Sequence, residues 1–379
     1  MRIGLYVHVP FCNAKCYYCD FLSFTNKGLE ERYVQGLLRE LTYYSKLIDG
    51  VHTIGSVFIG GGTPSVLPPF LLQQICRGIE ELFNLEDDME WTIEANPESL
   101  SNQQLDVIHN SRINRVSLGL QSTNNKLLKT LGRIHSFEDW KQSVAKLTNI
   151  GIKHINTDLM FDLPGQTLSD WEKTLLTIIQ YPIDHISCYA LILEENTFFH
   201  KCYTKDEDNE VKMYKMAKDI LSRYDYSQYE ISNWAKAGCE CVHNVLYWQL
   251  GSYIGAGLGA SGYLFNRRYT NTSDMKQYLA ASHLTDLDVP LLDVPLIEET
   301  IMITPRMSQE EFMFLGLRMT NGVSKKQFYH IFNTQIEDVF KPQIDRWVQQ
   351  KALINKEDRL YLTSYGVDIS NVVFSTFLE

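Results

Sequence analysis

Over the first two hundred residues, short runs of β-branched and aromatic residues alternate with longer stretches whose apolar positions recur at helical spacing. The short runs, bounded by Gly, Pro or Asn, predict strands, and the longer stretches predict amphipathic helices. Ile3–Val9 reads as a strand, followed by a cysteine-bearing loop and a helix over roughly Leu29–Lys46. Ser56–Ile59 is a second strand ending in Gly-Gly-Gly-Thr-Pro, with a helix near Phe70–Phe83. Glu90–Glu94, Arg115–Leu120, Ile152–Leu159 and His185–Leu191 repeat the pattern. Parallel strands need crossover connections, and the helices between these strands supply them.

Past residue 200 the rhythm changes. Tyr226–Ile231 could add a seventh strand, Gly251–Gly262 is a glycine-rich loop, and the weakly periodic, proline-bearing stretch Asp274–Thr304 reads as a connection. Glu311–Arg318, Lys325–Phe332 and Ile336–Gln350 are helical again, and Leu353–Asn355 with Leu360–Thr363 forms a short hairpin. Three helices and a hairpin suit a small winged-helix-like domain. The division expected is 1–235 for the sheet-and-helix domain, 236–304 for an extension with its connection, and 305–379 for the C-terminal helical domain.

Polar residues decide between the α/β architectures. The cysteines, Gly60–Thr63, Glu94, Gln121 and Asp158 fall at the carboxyl ends of successive strands. Active sites of (β/α) barrels are assembled on that face. Six units fall short of the eight of a closed barrel, so the expectation is an α/β fold with a partial (β/α)6 barrel.

Composition narrows the function classes. Apolar residues make up 44%, enough for a substantial core, and 35 Lys and Arg against 46 acids give a net charge of −11. That balance argues against a general DNA or RNA binder, which would show a basic face. The start MRIGLYVHVPFC lacks a signal-peptide pattern, and the apolar runs are shorter than a membrane span, so the expected location is cytoplasmic with at most peripheral membrane contact. In a reducing compartment the 8 cysteines are thiols or metal ligands rather than disulfides.

Cys12-Asn-Ala-Lys-Cys16-Tyr-Tyr-Cys19 puts three thiolates on one loop with the spacing C-x3-C-x2-C. Each can ligate one iron of a [4Fe–4S] cubane, leaving the fourth iron open to a substrate. A zinc site would need a fourth ligand, for which His8 is the near candidate. Three buried structural cysteines are the bland alternative.

This loop, directly after a first strand and with Tyr18 before its last cysteine, resembles the signature of the radical S-adenosylmethionine (SAM) family. The resemblance implies that the open iron chelates SAM. Gly61, Gly62 and Thr63 then resemble the family's motif for the SAM amino group, and Glu94, Gln121, Arg133 and Asp158 would contact SAM, with Tyr6 and Ala190 lining its pocket. YVHVPFCNAKCYYCDF, GGGTP, TIEANPE, SLGLQS, DLMFDLPGQT, HNVLYW and EEFMFLGLRMTNGV together resemble the oxygen-independent coproporphyrinogen III oxidase branch, and within it the HemW-type haem chaperones. Two departures favour a chaperone over a decarboxylating oxidase. Phe21 stands where the oxidase carries a further cysteine, and the oxidase's N-terminal cover is missing ahead of Tyr6.

His243 in HNVLYW is the residue the resemblance offers to haem iron, since imidazole is a common axial ligand. Tyr247 and Trp248 would pack on the macrocycle, and Cys239 and Cys241 read as structural. The implied partners are haem, haem-acceptor proteins and an electron donor of flavodoxin or ferredoxin type, with a homodimer as a further possibility. Coproporphyrinogen dehydrogenase and a radical SAM enzyme acting on RNA or another substrate are the alternatives.

Overall fold

The structure is a computed structural model that describes residues 1–25, 28–205, 207–281 and 294–378. Its parallel heart runs β1 (Arg2–Val9), α1 (Glu30–Ile48), β2 (Thr53–Gly61), α2 (Pro69–Leu82), β3 (Leu85–Ala95), α3 (Asn102–His109), β4 (Arg115–Gln121), α4 (Asn125–Thr130), α5 (Phe137–Asn149), β5 (His154–Phe161), α6 (Leu168–Ile178) and β6 (His185–Ala190). The strands pair in sequence order, each parallel to the next. Every residue of β4 is buried, as a strand covered on both faces must be.

The helices form where the apolar spacing says they should. In α2 the buried positions Leu71, Leu72, Ile75, Cys76 and Ile79 make one stripe against the sheet, and Pro69 at the first turn suits a helix start. Ser136 with Asp139 and Thr167 with Asp170 form capping boxes that begin α5 and α6. Trp91, Trp140, Trp171 and Trp234 fill the space between layers. Each fully buried large apolar side chain contributes about 1.5–3 kcal/mol relative to exposure.

Beyond α7 (Glu207–Ser222), β7 (Ser227–Glu230) and β8 (Asn233–Ala235) add an antiparallel hairpin to β6. After α8 (Val242–Trp248) the glycine-rich stretch becomes β9 (Tyr253–Ala256), parallel to β1, and β10 (Ser261–Leu264). Then follow β11 (Arg267–Asn271), α9 (Met275–Ala281) and β12 (Ile297–Met302). The 12-stranded sheet has the order β12-β11-β10-β9-β1-β2-β3-β4-β5-β6-β8-β7. Part of the expected connection is thus regular structure, with α9 and β12 at its ends, while 282–293 lies outside the described residues. Groups from the ends of β1 through β6 line one cavity, so the parallel strands curl into an open, partial barrel.

The C-terminal part has its own core around Phe312, Phe328, Phe340 and Trp347. It comprises α10 (Pro305–Gly316), β13 (Val323–Ser324), α11 (Lys325–Phe332), α12 (Ile336–Gln349), β14 (Leu353–Lys356), β15 (Arg359–Leu362), α13 (Ser364–Asp368) and α14 (Ser370–Ser375). The small sheet β13-β15-β14 packs with five helices, so this part is mainly helical, as expected, with the hairpin β14–β15 in its place.

Candidate functional site

The loop after β1 is tied at both ends. Cys12 N–H donates to Phe24 O at 2.9 Å and Phe24 N–H to Pro10 O at 2.7 Å, so the segment between closes on itself with all three cysteines on it. Tyr17 N–H donates to Leu131 O at 3.0 Å, fixing the loop against the end of α4. Cys12, Cys16 and Cys19 are half-buried and face a cavity of about 430 Å³. That volume lies within the range of small-molecule and cofactor pockets.

Opposite them runs the Gly61-Gly62-Thr63 turn. Gly61 has φ +109°, and a Cβ there would stand 2.5 Å from the His8 ring. At Gly62 a Cβ would meet Phe11 O at 2.7 Å. Only glycine lets the backbone pass this close. Thr63 Oγ1 lies 3.5 Å from Cys12 Sγ and accepts from Asn96 Nδ2 at 3.0 Å. Glu94 Oε2 accepts the Gly61 N–H at 3.0 Å. Enclosure pushes the Glu94 carboxyl up to about 8, with Asp158 adding to the rise and the Gly61 N–H opposing it.

Asp158 faces Glu94 across the cavity and is also raised by burial, against the pull of Asn156, Ser187 and Ser117. Gln121 ends β4 with φ +72°, a conformation that costs a non-glycine residue about 1–3 kcal/mol and clusters at functional sites. Arg133 places Nη1 3.5 Å from Cys16 Sγ and Nη2 2.6 Å from Asn96 Oδ1. Tyr18 and Ala190 also line the cavity. Tyr6 sits a layer lower, its hydroxyl 2.9 Å from His8 Nδ1 and its ring against Phe58. His8 Nε2 bonds Leu22 O at 2.9 Å, so both its nitrogens are engaged and neither is offered to a zinc ion on the cysteine loop.

Sequence reasoning missed the polar column beneath this cavity. Asn156 Nδ2 donates to Asp158 Oδ1 at 2.8 Å and to Ser117 Oγ at 2.7 Å, leaving its Oδ1 to accept from His185 Nδ1 at 2.6 Å. His185 Nε2 then accepts from the Tyr229 hydroxyl at 2.8 Å, and Tyr229 accepts the Cys241 N–H at 3.3 Å. This requires neutral His185, and burial holds its pKa well below the usual value. The one signal in the sequence was a run of polar residues, Asn156, Asp158, His185 and Ser187, at inward positions of buried strands.

The column ends on the barrel floor, which is the HNVLYW segment. Glu90, midway along β3, and Arg115, at the start of β4, form a buried ion pair at 2.8 Å. Glu90 also accepts from the backbone of Val242 at 3.1 Å and His243 at 3.0 Å, while Arg115 Nη2 donates to Cys239 O at 2.9 Å. Here the structure departs from the expectation of an open haem ligand at His243. The imidazole is buried under the barrel, with Nδ1 2.9 Å from Ser56 Oγ and Nε2 2.7 Å from the Tyr247 hydroxyl. Both ring nitrogens are engaged, one as donor and one as acceptor, and burial pulls the pKa down to about 3. Trp248 turns to the C-terminal domain, where Arg318 stacks over it at 4.3 Å.

The cysteine loop fits a multi-iron centre better than a single ion. Sulfurs on one tetrahedral zinc lie about 3.8 Å apart. Among the described residues, the set of three His, Cys, Asp or Glu whose ligand atoms fall within 4.8 Å of one another is elsewhere, at His154, Asp184 and Cys239. The three loop cysteines line one cavity without gathering as tightly as that set, which suits a centre in which each takes its own iron.

Residues 6–178 match the model of the radical SAM superfamily and residues 303–369 that of the HemN C-terminal domain. The chain is 36% identical to the haem chaperone HemW of Lactococcus lactis subsp. lactis, over 98% of this chain and 96% of the relative. It is 35% identical to the HemW of Bacillus subtilis over 98% of both chains. The solved structure of coproporphyrinogen III oxidase (HemN) from Escherichia coli superposes with a TM-score of 0.85 at 18% identity, covering 99% of this chain and 89% of that one, and shares its fold. With more than a third of its residues identical to these relatives over nearly its whole length, the chain belongs to the radical SAM superfamily and, within it, to the HemW haem chaperone family.

Proposed function

We propose that this chain is a haem chaperone, holding a [4Fe–4S] cluster on Cys12, Cys16 and Cys19 with SAM beside it, and passing haem to haem-requiring acceptor proteins. The observation that supports this most is the end-to-end similarity to relatives named as haem chaperones. When bound, the cluster supplies single electrons and an open iron for the amino and carboxylate groups of SAM. Arg133, against Cys16, offsets thiolate charge. The Gly61–Thr63 backbone and the Glu94 and Asp158 carboxylates bind the cationic end of SAM, and Gln121 its neutral polar groups.

The cavity mouth supports a flat apolar ligand. Phe21 and Ile192 on its rim are 65% and 64% exposed, and Tyr189 stands beside them. A macrocycle face would cover this apolar surface. His243 could reach haem iron only with α8 drawn out of the floor, so we assign it, in the closed state, to anchoring that helix. Reducing equivalents from a flavodoxin- or ferredoxin-type donor, a cytoplasmic location and a homodimer belong to the same reading. Among the described residues no helix is long and apolar enough to cross a membrane.

The test is anaerobic incubation of reconstituted protein with coproporphyrinogen III, SAM and a reductant, followed by porphyrin analysis. The proposal expects coproporphyrinogen to be recovered unchanged. Decarboxylation at catalytic rates would transfer the chain to the oxidase reading.

A further inference from the structure

A second group of potential metal ligands lies at the opposite pole of the barrel from the cysteine loop. His154 opens β5, Asp184 precedes β6, and Cys239 lies in the turn between β8 and α8. Their ligand atoms all fall within 4.8 Å of one another, and each side chain is half-buried. His154 Nδ1 is 2.6 Å from Asp184 Oδ2.

The backbone builds this group in advance. Asp184 Oδ1 accepts the Ile155 N–H at 3.1 Å, fixing the carboxylate at the mouth of β5. Lys236 N–H donates to Asp184 O at 2.9 Å and Cys239 N–H to Lys236 O at 2.9 Å, so the turn bearing the thiol hangs from the aspartate's own backbone. Gly238, at φ +76°, lets that turn close. Asp184 and the turn bearing Cys239 are thus positioned by backbone hydrogen bonds, and His154 is held against Asp184 at 2.6 Å, which makes a preorganised site.

The donor set selects the ion. One thiolate, one imidazole and one carboxylate suit a borderline divalent cation, with Zn²⁺ first and Fe²⁺ or Co²⁺ as relatives. A thiolate and a carboxylate balance the charge of such an ion, and the positive Arg115 nearby is already paired with Glu90 at 2.8 Å. On a shared tetrahedral ion the His154 and Asp184 atoms would sit about 3.3 Å apart, a small opening from their present hydrogen bond. As the ion binds, the thiol proton leaves to solvent, and the proton that His154 Nδ1 holds against Asp184 is replaced by one on Nε2, which frees the Nδ1 lone pair.

We propose that His154, Asp184 and Cys239 bind one Zn²⁺ ion per chain, with a fourth position open to water. The ion ties the starts of β5 and β6 to the turn that leads through Cys241 into the floor helix, so its occupancy holds the floor closed.

The experiment is a Zn²⁺ titration of the full-length chain in competition with a chromophoric chelator. It is run on the reconstituted protein and on a Cys12→Ser/Cys16→Ser/Cys19→Ser variant that removes the cluster thiols as competitors. Co²⁺ is the spectroscopic probe, through its thiolate charge-transfer absorption. The expected result is one Zn²⁺ per chain in both proteins and a thiolate–cobalt band. Cys239→Ser should weaken Zn²⁺ binding by roughly 10- to 100-fold or more, and His154→Gln should act in the same direction. Cys202→Ser, at an exposed thiol, should leave it unchanged. Zn²⁺ should raise the melting temperature of wild type and not of Cys239→Ser, while the two metal-free proteins melt together. Absence of Zn²⁺ binding in the triple variant, or binding that Cys239→Ser does not weaken, would overturn the proposal.

Discussion

Replacing Glu94 with glutamine tests how the cavity recognises a cationic ligand. The carboxyl accepts the Gly61 N–H at 3.0 Å, and its pKa stands at about 8 before any ligand binds. At pH 7 it is therefore about nine-tenths protonated, and a ligand that needs the carboxylate must first ionise it, at a cost of about 1.4 kcal/mol per pH unit below the pKa. SAM affinity should consequently rise about fivefold from pH 7 to pH 8 through this group, and about twofold more before levelling off above pH 9. Glu94→Gln keeps the shape and an oxygen for Gly61 but removes the charge. It should lose about 1.5–3 kcal/mol at pH 8.5, or roughly 10- to 150-fold in affinity, and lose this share of the pH slope. A residual slope from Asp158, whose carboxyl is also raised, should persist. The assay is anaerobic equilibrium dialysis of reconstituted protein with SAM between pH 6.5 and 9. Groups on SAM itself titrate against both proteins and cancel in the comparison. Identical slopes, or equal affinity at pH 8.5, would refute the assignment of Glu94.

The other expected outcomes follow from the cysteine loop and the floor. Cys16→Ala should abolish the brown chromophore and reduce iron from about four per chain to near zero, as read by iron analysis after anaerobic reconstitution. Arg115→Leu would strand Glu90 as an unpaired buried charge and should cost about 3–5 kcal/mol in denaturant unfolding. A loss below 1 kcal/mol would mean the pair is dispensable to the floor. His243→Ala should lower stability by about 2–4 kcal/mol, by stranding the Ser56 and Tyr247 hydroxyls and opening a cavity, yet leave cluster content and SAM binding in place. A Soret shift in that variant's haem complex would show that α8 leaves the floor to ligate iron.

Much of the barrel was legible because its signals are local. Apolar runs and helical spacing are set within a dozen residues, and the strand ends carry their chemistry in sight, as at Glu94 and Gln121, while β5 runs on past Asp158 to Phe161. The cysteine loop was legible for the same reason. What could not be read depends on contacts between distant segments. The floor helix Val242–Trp248 is too short for a periodic signal, and its capping by Glu90 joins residues some 150 positions apart. His243 therefore read as a haem ligand beside aromatics, whereas tertiary packing buries it as a neutral core histidine. Asn156, His185 and Tyr229 form a column only once β5, β6, β8 and β7 are set side by side. β12 was invisible because its pattern IEETIM is mostly exposed and it forms by pairing with β11 at the edge of the sheet.

The central claim is that this iron–sulfur protein receives haem as cargo. Its most direct test is titration of the anaerobically reconstituted chain with haem, followed by the Soret band. The account predicts saturation at one haem per chain with a spectrum distinct from free haem. A linear rise with the spectrum of free haem, on protein whose iron–sulfur cluster is intact, would contradict it.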